Sequence, residues 1–168
     1  LLGAGIDMVQ LGSFVNPEKV PQMADTDKLF AHFNQEGKKP AGAVLSGLVL
    51  NEKGLERGMA CGVDMFCMGV SASDTHSRKN TGKGTDEAVG QIIAMAQAAL
   101  KAQKRVQASI QSAFGCGFEG PIAPERVLSI VDKYLAAGIR NISLADTAGH
   151  AYPPQVEALY AEILKREG

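Results

Sequence analysis

Five short apolar stretches recur along the chain, each followed by polar or glycine-rich residues and then, at three places, by an amphipathic segment. They are Ile6–Leu11, Ala43–Val49, Val63–Val70, Val106–Ser112 and Ile139–Ala145. They read as near-continuous apolar runs, the pattern of parallel strands covered on both faces. Asp86–Gln103, Pro124–Ala137 and Pro154–Arg166 repeat apolar residues at helical spacing. At LLGAGIDMVQ, MACGVDMFCM and LAAGIRNISL a helix is expected to end on small residues and a glycine, with a strand beginning at once. Glycine suits such an end because the residue after a helix commonly takes the left-handed conformation. The recurrence implies repeated βα units.

Two architectures accommodate five such strands. A doubly wound sheet is complete in 168 residues. A (β/α)8 barrel needs about 250, so this chain would be a section of one. The helix-like start, Leu1–Gly5, favours the barrel, since a sheet domain should open with its own strand. One domain, residues 1–168, is expected.

In both folds functional groups gather past the C-terminal ends of the strands. Those positions hold QLGSFV, SASDTHSRKN, SAFGCGFEG and SLADTAG, which are read as polar or glycine-rich loops. Asp146 follows a buried-type strand, so its carboxylate is expected at the rim of the sheet. It can cap the next helix or do chemistry, but that helix is expected near Pro153, several residues on. The residues alone leave both roles open.

The composition excludes several classes. With 45% hydrophobic and 21% charged residues and a net charge of -1, there is no basic stripe for nucleic acid. No stretch has the length of a membrane span or the form of a signal peptide. Three cysteines without regular spacing (Cys61, Cys67, Cys116) suggest reduced thiols and a cytoplasmic setting. Cys116, between two glycines, reads as an inert buried thiol. His32, His76 and His150 are too far apart for a local metal motif. The run RKNTGKGTDE fails as a phosphate loop, having Ser77 where a glycine belongs and Gly84 where Ser or Thr belongs. It could hold an anion through Arg78, Lys79 and Lys83, or be a solvated loop with Thr85 capping the next helix.

Four stretches together resemble one family. SFVNPEKVPQMAD is similar to the SFVSPKWVPQM segment of hydroxymethylglutaryl-CoA lyases, and SRKNTGKGTDEAV to their KKN loop. GCGFEGPIAPERV is similar to their GCPYEG segment, and ISLADTAG to their EISLGDTIG. Order and spacing agree over nearly the whole chain.

The resemblance implies an α/β fold, a section of a TIM (β/α)8 barrel from about strand 2 to helix 6 of the parent barrel. Strand 1 with an Arg-Asp pair, strand 7 with a His-x-His pair, and strand 8 would then lie outside it. A divalent metal, Mg or Mn, is implied, with its ligands outside this chain. So is an acyl-CoA substrate cleaved by a retro-Claisen step, in a homo-oligomer. Related condensing enzymes (isopropylmalate and homocitrate synthases) and a catalytically inactive homologue or interaction fragment are the alternatives. Carried over position by position, Asp146 matches the family's functional acid, and Ser143 and Thr147 its substrate-side neighbours. Ser13 matches the serine of SFV, and Asn80 the asparagine on the acyl-CoA side. Two positions depart: Gln10 replaces an acid and Gln107 an arginine, which points to a change in the acyl group accepted. Asp146, Ser13, Ser143 and Thr147 are expected to converge, with Asn80 farther out.

Overall fold

The computed structural model describes residues 4–167. Leu1–Gly3 of the expected opening helix end lie outside the described residues, while Gly5 has the expected positive φ of 84°. Among the described residues there are five strands: β1 (Met8–Ser13), β2 (Val44–Leu48), β3 (Met65–Ser71), β4 (Arg105–Gln111) and β5 (Ile142–Leu144). They form one sheet in the order β1-β2-β3-β4-β5, with parallel pairing in β1–β2, β2–β3 and β4–β5. Sequential order is what a (β/α)8 barrel requires; the doubly wound alternative would be ordered 2-1-3-4-5.

The three helices expected from periodicity are α4 (Thr85–Lys101), α5 (Pro124–Ala136) and α6 (Pro153–Glu167). Three more are α1 (Thr26–Phe33), α2 (Glu52–Ala60) and α3 (Asp74–Thr81); α2 ends where MACG placed a helix end, whereas α1 and α3 were not legible as helices. α3 turns most of the presumed SASDTHSRKN loop into a helix, because its ends are capped. The Ser73 side chain accepts from His76 N, and Gly82 takes a left-handed φ of 76° at the far end. Thr85 is not the cap of α4: its hydroxyl donates to Ser71 O at 3.0 Å, while Asp74 accepts from Thr85 N at 2.9 Å.

Packing divides the chain into two compact units, residues up to 68 with 98–106, and residues 69–97 with 107 onward. In the first, the buried rings of Phe14 and Phe30 stack with centroids 5.4 Å apart. Gly47 and Gly58 make room there, since a Cβ would sit 2.7 Å from the Phe14 ring and 2.5 Å from the Phe66 ring. In the second, Ile92 and Met95 of α4 and Val127, Ile130 and Tyr134 of α5 are buried, as are Ala108 and Ile110 of β4.

β4 departs from the expectation of strands covered on both faces. Val106, Ala108 and Ile110 are buried, whereas Gln107, Ser109 and Gln111 on the other face are only half-buried. Period-two alternation with polar side chains was present in RVQASIQ, and it marks one partly open face.

Candidate functional site

In the second unit, three segments follow the C-terminal ends of β3, β4 and β5. The segment after β5 is organised by Asp146. Its Oδ1 accepts from His150 N at 2.8 Å and its Oδ2 from Ala151 N at 3.0 Å. Gly149, at φ 70°, allows the backbone to turn back onto the carboxylate. The Ala151 amide foremost, then the His150 and Gly149 amides and the nearby imidazole, hold this exposed carboxyl below the usual carboxylate range. α6 starts only at Pro153, so Asp146 closes its own loop rather than capping the helix.

Thr147 ties this loop to the one after β4. Its Oγ1 accepts from Ser112 N at 2.8 Å, and Ser112 is a buried, non-glycine residue with φ 53°. Such a left-handed residue persists only where its surroundings hold it. Ala113 N donates to Ala145 O at 3.1 Å, and Gln155 Nε2 donates to Phe114 O at 3.3 Å. Ser143 sits in register with Ser109 on one face of the β4–β5 pair.

Beyond Gly115 the β4 loop closes through Cys116 and Gly120, whose backbones exchange two hydrogen bonds of 2.8 Å. Cys116 is buried, as expected, and its thiol donates to Ser73 Oγ at 3.0 Å. Burial pushes this thiol up, but the Ser73 hydroxyl and the Phe118 and Glu119 amides outweigh it and leave the group below the usual thiol range. Glu119 accepts from Thr75 N at 2.6 Å, a second cap on α3. Phe118 stands exposed at the tip with Lys79 Nζ 4.8 Å from its ring centroid.

The cations of RKNTGKGTDE are already engaged. Arg78 pairs with Asp74 at 2.7 Å, and Lys83 reaches Glu87 at 3.4 Å and Gln91 at 3.0 Å. Asn80 is exposed in the last turn of α3. Gln107 lies in the first half of β4, donating to Asn141 Oδ1 at 3.3 Å, and so stands away from the strand-end loops.

In the first unit, Gln10 is exposed on β1 in register with Ser46. Ser13 is buried, with its hydroxyl 3.5 Å from Leu48 O. Sequence reasoning singled out neither Ser112, Gly115 nor His150. The available signals were the paired glycines of GCG and a histidine four residues after Asp146.

A metal fits poorly here. Among the described residues no group of three or more His, Cys, Asp or Glu side chains is placed to hold an ion, and both Asp146 oxygens already accept from backbone. Among the same residues no helix is long and apolar enough to cross a membrane.

Parallel strands in sequential order, with polar loops at their C-terminal ends, define a βα-barrel type of enzyme scaffold. The chain belongs to the HMGL-like family, which it matches over residues 1–166. It is 32% identical over 162 residues to the hydroxymethylglutaryl-CoA lyase YngG of Bacillus subtilis, covering 96% of this chain and 53% of that one. It is 36% identical over 172 residues to the (R)-citramalyl-CoA lyase of Chloroflexus aurantiacus, covering 99% and 54%. Among solved structures, the Bacillus subtilis HMG-CoA lyase superposes with a TM-score of 0.88 over 96% of this chain and 53% of that one, at 32% identity. An HMG-CoA lyase from Acinetobacter baumannii, solved with coenzyme A and 3-methylmalate, gives 0.86 at 29% identity, over 96% and 51%. The chain thus spans about half the length of these relatives, and its fold is a section of their TIM barrel.

Proposed function

We propose that the protein carrying this chain is an acyl-CoA lyase that cleaves a 3-hydroxy-3-methylacyl-CoA to a keto acid and acetyl-CoA. The observation that carries this reading is the family match along residues 1–166, with relatives named for this reaction type. In the retro-Claisen step the tertiary hydroxyl gives up its proton and becomes the new carbonyl. The electron pair of the broken carbon–carbon bond passes to the thioester fragment as an enolate, which a proton converts to acetyl-CoA.

Asp146 is the residue we assign to the reacting end. Three backbone amides hold it ionised, which makes it a weak base. Its part is therefore to accept a hydrogen bond from the tertiary hydroxyl and orient it, while a separate base removes the proton. Thr147 keeps the Asp146 loop against the β4 end, and Ser143 offers a hydroxyl on the same sheet edge. Asn80 is kept as a contact to the CoA portion, and Gln107, in the first half of β4 away from these loops, is given no part. The divalent metal implied by the resemblance finds no donor set among the described residues, and no step here runs through it. A homo-oligomer in the cytoplasm completes the proposal.

The test is direct. The purified protein is incubated with hydroxymethylglutaryl-CoA or citramalyl-CoA, and release of acetyl-CoA and keto acid is followed. Cleavage of one of them supports the lyase. Condensation of acetyl-CoA with a keto acid, without cleavage, would make the protein a synthase, and neither reaction would make it an inactive homologue.

A further inference from the structure

We propose that His150 is a specificity-determining residue that binds the free carboxylate of the acyl chain; this rests on the lyase reading above. Its backbone N is fixed by Asp146 Oδ1 at 2.8 Å, and its ring lies on Gly115. A Cβ on Gly115 would meet His150 Nδ1 at 2.2 Å and its Cβ and Cγ at 2.8 Å, so only glycine leaves room for the imidazole there. The platform is itself held, through Ala113 N to Ala145 O and Gln155 Nε2 to Phe114 O. The imidazole is thus placed beforehand, which lowers the cost of ordering it around a ligand. The Nδ1 edge is the part against Gly115, leaving Nε2 as the nitrogen free to reach outward.

His150 is exposed on the loop that carries Asp146, and no hydrogen bond or ion pair among the described residues uses its ring nitrogens. The arginine and lysine side chains near these loops are engaged: Arg78 by Asp74, Lys83 by Glu87, and Arg126 by Glu119 at 3.5 Å. Lys79 lies over Phe118. Hydroxymethylglutaryl and citramalyl groups are dicarboxylic, so one carboxylate remains after the thioester is formed. An imidazole N–H is a fitting donor for it, in either protonation state.

The test uses the whole protein and whichever of the two acyl-CoA substrates it cleaves. In His150→Ala the KM for that substrate should rise about tenfold or more, the scale of a lost hydrogen bond to a charged group, with kcat within about twofold. The inhibition constant of 3-hydroxy-3-methylbutyryl-CoA, which lacks the carboxylate, should stay unchanged. Gly115→Ala should reproduce the KM rise by displacing the ring, and His150→Gln, which retains an N–H donor, should recover most of the loss. An unchanged KM in His150→Ala, or an equal loss for the analogue, overturns the assignment of His150 and leaves the lyase standing. Should His150→Ala fail to fold, Gly115→Ala and His150→Gln decide alone, by the same comparison of substrate and analogue. Wild-type protein that cleaves neither substrate takes down both readings.

Discussion

In the unit that carries β1 and β2, the loop after β1 is held by a long cationic side chain. Arg57 pairs with Asp27 at 2.9 Å, donates to Val15 O at 3.0 Å and stands 5.6 Å from the Phe14 ring centroid. In the unit that carries β5, short side-chain oxygens do the holding, and what they hold is backbone. Asp146 grips the His150 and Ala151 amides, Thr147 the Ser112 amide, and Ser73 and Glu119 the first turn of α3. The first arrangement uses its charges up in packing. The second fixes the loop path while leaving His150 and Phe118 exposed, which is what a binding rim needs.

That contrast can be broken most sharply at two glycines. A Cβ on Gly69 would sit 2.7 Å from Ser109 O, a strand carbonyl that cannot move without breaking the sheet. Gly69→Ala is expected to cost about 3 kcal/mol, read from the denaturant midpoint. Gly47→Ala, facing a ring edge at 2.7 Å that can shift, should cost only about 1–2 kcal/mol. Equal costs would mean that both sites yield alike.

Next in size is Asp146→Asn. It is nearly isosteric but supplies an amide nitrogen where one backbone N–H now finds an acceptor. We expect turnover of the cleaved acyl-CoA to fall on the order of 10²-fold while the far-UV circular dichroism is kept. Near-normal turnover would reduce Asp146 to a loop closure. Arg57→Met keeps the aliphatic packing and loses the ion pair, which is partly exposed on both sides. About 1–2 kcal/mol of stability and no change in KM are expected, because this clasp is structural.

Thr147→Val leaves the buried Ser112 amide without its acceptor, at a cost of about 1 kcal/mol that Thr147→Ser should restore. The smallest effect per group is that of pH. Asp74, Glu119 and Asp146 are all held below their usual values. Their folded values lie below the unfolded ones, so their stabilisation is complete above about pH 5 and is lost as pH falls through the folded values. Amide resonances of Thr75, His150 and Ala151 should therefore shift as the pH drops below about 4. Constant shifts for His150 and Ala151 down to pH 2 would remove Asp146 from the loop.

The sequence determined the βα repeat, since apolar runs and glycine-ended helices are local features. It located all five strands, although β1 and β3 begin two residues, and β5 three residues, later than the runs that signalled them. It also determined that Asp146 follows a strand, well ahead of the next helix. It placed the end of EKGLERGMA but could not show that TDKLFAHF and DTHSRKNT are helical. These segments are short, and the last is almost wholly polar; what secures α3 is its Ser73 cap and a carboxylate from Glu119, 44 residues away. Nor could it tell a loop-closing Asp146 from a helix cap, because the partners, His150 N and Ala151 N, are reached only once Gly149 turns the chain. The space for His150 is likewise tertiary: a glycine at position 115 acquires its meaning only when β4 and β5 lie side by side and bring the imidazole onto its Cα.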